Sequence, residues 1–136
     1  MSFLIRTANT GDNNYTDTFI IDGTPYTDVC LSVGNFDRIC VSVNPSDGGG
    51  GQLSFAGANV IEAVTDPDTG FISVSAPDAF PVAGYAPSAP NTPTVTTLQN
   101  PGDAVVILCD FAYLLINFNA ANSINVHGRR FGVFTQ

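Results

Sequence analysis

Asp28-Val29-Cys30-Leu31-Ser32-Val33 and, shortly after, Arg38-Ile39-Cys40-Val41-Ser42-Val43 are the stretches whose reading decides the fold. In both, large apolar residues hold every second position, with small or polar residues between them. A period of two sends one set of side chains to each face of an extended strand. The pair therefore predicts an antiparallel hairpin in which Val29, Leu31, Ile39 and Val41 face a core. Opposed residues in such a pair share a face. The register that sets Leu31 against Ile39 and Val29 against Val41 also sets Cys30 against Cys40, as neighbouring thiols on the more polar face.

The same rhythm extends along the chain. Strands are expected near 3–8, 17–22, 28–33, 38–43, 52–56, 59–65, 71–75, 94–98, 104–109, 112–118, 122–127 and 130–135. Breakers separate them. Asn44-Pro45-Ser46-Asp47 leads into Gly48 to Gly51, a loop, and Asp66-Pro67-Asp68-Thr69-Gly70 is a turn whose glycine can take positive φ. Asn100-Pro101-Gly102-Asp103 fits a type II turn, with Pro second and Gly third. The run Asp110 to Phe118 could be read as a helix, since Phe111, Leu114, Leu115 and Phe118 share helical spacing. The strand-like Val105-Val106-Ile107-Leu108 before it favours two buried strands joined tightly at Asp110-Phe111. The fold class expected is all-β: residues 1–136 as one antiparallel β-sandwich or jelly-roll-like barrel.

Pro77, Pro81, Pro87, Pro90 and Pro93 set residues 77–93 apart, because prolines this dense cannot occupy a central strand. The segment reads as a long loop packed on its own domain or as an arm laid across a neighbouring subunit, with Phe80 and Tyr85 as apolar anchors.

Composition narrows the chemistry. The chain has no lysine, one histidine (His127) and four arginines, against eleven aspartates and Glu62, for a net charge of −8. A phosphate loop of the lysine-bearing type and a multi-histidine metal site both lack their residues. An acidic balance argues against nucleic acid and against an anionic membrane surface as partners. Charged residues amount to 12%, about half the usual share, which points to a surface covered by other chains. Met1 to Arg6 has no secretory character, and the apolar stretch Ala104 to Phe118 is too short to span a bilayer. These features predict a soluble chain made in the cytoplasm, where Cys30, Cys40 and Cys109 are free thiols.

Several short motifs have plainer explanations. Asp68-Thr69-Gly70 matches the aspartic protease tripeptide, but its flanks, Asp66-Pro67 and Phe71, do not continue that pattern. Asp66 and Asp68 mimic the start of a calcium loop, yet the glycine falls one position early and Pro77 stands where a bidentate Glu belongs. A turn accounts for the tripeptide, and an irregular calcium site built from the loop aspartates stands as the alternative to a plain turn. His127 is the sole candidate base, and no G-x-S-x-G elbow accompanies it. Asn14-Tyr15-Thr16 is a glycosylation sequon without a secretory signal. No catalytic, cofactor-binding or metal residue is therefore assigned, and no cofactor. Arg129 and Arg130, half of the positive charge, form a doublet suited to an acidic neighbour. An assembly interface is expected at Arg129, Arg130, Phe80 and Tyr85.

The stretch Asn100 to Val126 resembles strand pairs in the surface proteins of tailed bacteriophages. It carries a Pro-Gly-Asp turn, an apolar strand ending in Cys109-Asp110, then Leu114-Leu115-Ile116-Asn117, an Asn-rich turn and Val126. The resemblance covers about a fifth of the chain. Among such proteins a short chain looks most like a capsid cement or decoration protein. That implies a non-enzymatic virion subunit, often trimeric, which binds between capsid subunits and stabilises the shell. Its partners would be the major capsid protein or another virion protein, and copies of itself. A tail fibre, baseplate or head–tail connector subunit is the nearest alternative. A carbohydrate-binding β-sandwich is a third, although its usual tryptophan platform is missing.

Overall fold

The structure, a computed structural model, describes residues 3–7, 14–21, 26–34, 36–44, 52–89, 91, 95–120 and 122–130. Among them are twelve strands and no helix: β1 (Phe3–Thr7), β2 (Asn14–Ile21), β3 (Asp28–Ser32), β4 (Arg38–Val43), β5 (Leu53–Ala58), β6 (Glu62–Thr65), β7 (Ile72–Ser75), β8 (Phe80–Pro81), β9 (Thr97–Leu98), β10 (Ala104–Leu108), β11 (Tyr113–Phe118) and β12 (Asn122–Arg129). The all-β expectation holds. Of the expected strand at 130–135, only Arg130 is described, and it follows β12 outside any strand. The loop at Gly48 to Gly51 lies outside the described residues.

Two sheets face each other across one core. The first runs β1-β3-β11-β5-β8, with β9 also on β5; the second runs β10-β4-β12-β2. The second is wholly antiparallel, whereas β1 joins β3 in parallel, so the fold is mixed rather than purely antiparallel. Val29, Leu31, Leu114, Ile116, Leu53 and Phe55 from the first sheet meet Ile39, Val41, Val43, Val105, Ile107, Ile124, Val126 and Phe19 from the second. The expected core residues Val29, Leu31, Ile39 and Val41 are fully buried, but so is Cys30, expected on the more polar face, because β1 and β11 flank it on both sides.

Both expected hairpins, however, are crossovers. β3 pairs with β1 and β11, and β4 with β10 and β12, so Cys30 and Cys40 lie in different sheets. Likewise β10 and β11 are not paired with each other but carry the chain from one sheet to the other. Alternation fixes which face of a strand is buried. It does not fix which sheet the strand joins, because both sheets bury their inner faces in the same core. The connections reveal the difference. Val33 and Phe36 in one and Phe111 in the other are buried, whereas a hairpin tip would be polar. The two connections lie against each other: Val33 N–H donates to Ala112 O at 2.8 Å, and Cys109 N–H to Asp37 O at 2.9 Å. Cys30 is buried between Ile5 and Leu115 on neighbouring strands, and all three cysteines are free.

The turns behave as their residues require. Gly102 has φ 87°, and Asp103 N–H donates to Asn100 O at 2.9 Å. Gly70 has φ 75° at the end of the β6–β7 turn. The described part of the proline-rich segment is tied to the protein's own sheets. Phe80–Pro81 forms the short edge strand β8, where a missing N–H is tolerated. Val82 is buried, Gly84 bridges to Val95, and Tyr85 exchanges backbone hydrogen bonds with Val106 at 3.0 and 2.8 Å. The segment therefore straps the edge of the first sheet to β10 in the second. A Cβ at Gly84 would collide with the Val106 carbonyl and the Val105 side chain, so only glycine permits this approach.

Two outcomes follow. Leu31→Ala, at a fully buried site, should lower the unfolding free energy by about 2–5 kcal/mol in a urea titration. Gly84→Ala should release the strap and accelerate hydrogen exchange at the Tyr85 and Val106 amides; unchanged protection there would contradict the close-approach argument.

Candidate functional site

The alternation that turns Ile39, Val41, Val105, Ile107 and Val126 inward turns their neighbours outward. On the outer face of the second sheet this builds three rows across the strands. Leu108, Arg38, Arg129 and Asn14 form the first; Val106, Cys40, His127 and Thr16 the second; Ala104, Ser42, Asn125 and Thr18 the third. A pocket of about 590 Å³ lies over the first two rows, lined by Asn14, Arg38, Cys40, Tyr85, Val106, His127 and Arg129. A second of about 500 Å³ continues toward the third row and shares Cys40 and His127. Together they make one open groove.

The strap supplies one side of it. Its bridge to Val106 holds Tyr85 half-buried beside the sheet, and the phenol oxygen accepts a hydrogen bond from Arg38 Nη1 at 3.2 Å. At the other end Thr18 Oγ1 donates to Asn125 Oδ1 at 2.9 Å. Polar hydroxyls and amides thus follow the cationic end along the groove.

The charge arrangement is unusual for this chain. Two of its four arginines, Arg38 and Arg129, are directly opposed partners on adjacent strands, with its only histidine in the next row. Like charges placed opposite one another destabilise a sheet by roughly 0.2–1 kcal/mol. Both residues have partners on the protein itself. The groove nevertheless concentrates positive charge on a molecule whose net charge is −8. A carboxylate entering it would lie between two planar donor forks.

Cys40 and His127 are cross-strand partners, the arrangement nearest to a catalytic pair. Burial pushes the Cys40 thiol above its ordinary value, so it stays protonated at neutral pH. A nucleophilic cysteine needs the reverse shift. Among the described residues none orients the His127 ring by a hydrogen bond, and no group of three or more His, Cys, Asp or Glu is placed to hold a metal ion. Two guanidinium groups beside an aromatic ring form a donor set suited to holding a polar or anionic group.

The residues expected at an interface divide between places. Arg129 and Tyr85 come together in the groove. Arg130 points elsewhere: its guanidinium stacks 5.6 Å from the Phe36 ring centroid, above a core phenylalanine that also meets Tyr15. Phe80 sits at the edge of the core, edge-to-face with Phe111 at 5.7 Å and 38% exposed. Arg129 lines the groove while Arg130 stacks on Phe36, so the two guanidinium groups lie in different places. Arg38 was not singled out from the sequence, since its pairing with Arg129 depends on β4 and β12 being neighbours. Asp66 and Asp68 form the exposed β6–β7 turn, in which the Asp66 carboxylate accepts from the backbone N–H groups of Asp68 and Thr69 at 2.8 and 3.4 Å.

Thiol chemistry tests the groove's electrostatics. Burial lifts Cys30 to about 11, and Cys109 to about 12, the latter aided by the nearby Asp110 charge. Iodoacetamide should therefore alkylate Cys40 ahead of the other two, because Cys40 lines the groove. Its rate should still rise with pH beyond 9, the ordinary thiol value, since only the thiolate reacts. A rate already level by pH 8 would mean an activated thiol and reopen the catalytic reading.

Comparison with protein-family models, with curated proteins and with solved structures finds no match to this chain, so the site stands on its geometry.

Proposed function

We propose that the chain is a non-enzymatic structural subunit whose groove on the second sheet grips an acidic segment of a neighbouring chain. The carrying observation is the opposed pair Arg38 and Arg129 with Tyr85 beside it. Guanidinium forks bind carboxylates with fixed geometry, and an aromatic side chain adds contact area at little entropic cost. The low charge content and strand-rich surface favour static contact with other chains. Combined with the resemblance of Asn100 to Val126 to phage surface proteins, this supports a cement or decoration protein that stabilises a capsid between its subunits. Attachment through several copies would offset weak individual contacts.

A second reading has its own observation. Thr16, Thr18, Ser42 and Asn125 present hydroxyls and amides along one half of the groove, and the Tyr85 ring lines the other half, in the manner of a carbohydrate site. Binding on a glycan array that is lost in Tyr85→Ala would favour it.

The test of the leading reading uses purified capsids lacking this protein. Parent protein should bind them, and binding should weaken as salt rises, because exposed charges are screened over about 10 Å at 0.1 M. Arg129→Glu should reduce attachment at least tenfold while circular dichroism stays unchanged. Attachment by the folded variant at parent strength would exclude the groove. A parent protein that binds no virion component and stays monomeric would overturn the structural reading.

A further inference from the structure

The β6–β7 hairpin is the one pairing of consecutive strands among the described residues, and it stands apart from both sheets. A two-stranded hairpin is marginal in water unless something covers it. Here all four residues of β6 are exposed, and Val60, Val64 and Phe71 are 55%, 64% and 44% exposed. Opposed to Ser73, Val64 shares its outward face with Glu62, which is opposed to Ser75. The turn itself is well fixed. Gly70 N–H donates to Asp66 O at 2.8 Å, Asp66 N–H to Phe71 O at 2.8 Å, and the Asp66 carboxylate holds two further N–H groups. Its base is pinned as well, by the Asp78 carboxylate on the N–H groups of Asn59 and Val60 at 3.0 and 3.3 Å.

Charge distribution supplies the partner. From residue 39 to residue 128 the chain contains no lysine or arginine, so the hairpin's Glu62, Asp66 and Asp68 have no cationic neighbour in sequence. The groove on the second sheet is the reverse: Arg38 and Arg129 side by side, with Val106 and the Tyr85 ring as apolar floor and wall. Hairpin and groove match in both respects, acid to base and exposed apolar side chain to apolar lining. Within one molecule they lie on different sheets. The hairpin lies on the side of the first sheet, where β7 contacts β1, and the groove faces outward from the second sheet with the core between them.

Resting on the groove reading above, we propose that the acidic segment bound in the groove is the β6–β7 hairpin of a second copy of this chain, with Asp68 and Glu62 as the carboxylates and Val64 and Phe71 as the apolar contact. The contact is heterologous, since it joins two different surfaces. Repeated from copy to copy, it closes into a ring or runs on as a filament, according to the rotation it imposes.

Charge exchange tests it. Arg38→Glu with Arg129→Glu reverses the groove; Glu62→Arg with Asp68→Arg reverses the hairpin while sparing Asp66, which holds the turn. Sedimentation velocity should show the parent self-associating, and each double variant associating at least tenfold more weakly. An equimolar mixture of the two should regain association, because each reversed hairpin now meets an oppositely charged groove. Circular dichroism and melting confirm folding, and Gln replaces Glu at the arginines if the reversed groove fails to fold. A mixture as weak as either variant alone overturns the proposal, as does a parent that remains monomeric at its highest soluble concentration. The two readings separate on capsids. If the hairpin variant binds them at parent strength, self-associates normally and only the groove variant fails, the groove stands and its occupant is another chain's acid. If the groove variant also behaves as parent, both fall.

Discussion

The backbone contacts between the two buried connections hold the rest of the structure in place. Residues 33–37 lead from β3 to β4, and residues 109–112 lead from β10 to β11. Val33 bonds to Ala112, and Asp37 accepts from Cys109 while its own N–H donates to Arg129 O at 3.0 Å. Asp37 therefore fixes the ends of β4, β10 and β12 together. Phe36 and Phe111 fill the space beneath. Once these ends are set, the ladders can close in only one register, and that register opposes Arg38 to Arg129. The groove is a product of the closure at one end of the sandwich.

How much of this could be read from the residues depends on what side-chain alternation encodes. Along β3 and β4 it marked Val29, Leu31, Ile39 and Val41 as core residues, and Pro101-Gly102 and Gly70 marked their turns. Partner choice was not encoded there. Shifting a strand to the facing sheet leaves its inner side chains in the same core, so Val29 and Ile39 satisfy either arrangement. The overlooked signal was hydrophobicity in the breaks: Val33, Phe36 and Phe111 are costly in an exposed hairpin tip and favourable inside a crossover.

The candidate site was legible only in part for the same reason. Arg129 and Tyr85 could be suspected one at a time, from scarcity of positive charge and from aromatic character. That they share a groove with Arg38 follows from two long-range pairings, β4 with β12 and the strap with β10. Arg130 shows the opposite lesson. Its sequence position beside Arg129 suggested a joint role, yet alternation and the Phe36 ring assign it to the packing of the crossover.

The central place of β12 also bears on the order in which the protein can form. Among the described residues β2 has one strand partner, β12, with Thr18 and Asn125 separated by 107 positions. β4 likewise lacks one of its two neighbours until residues 122–129 are present. During synthesis β2 must wait for its partner, and β4 for its second one, until β12 emerges some way behind them, 107 positions later in the case of Thr18 and Asn125. Contacts between residues so distant in sequence slow folding. Until then the apolar inner faces of β2 and β4 remain open to other nascent chains, so crowding on a polysome is where this topology is most exposed to misassembly.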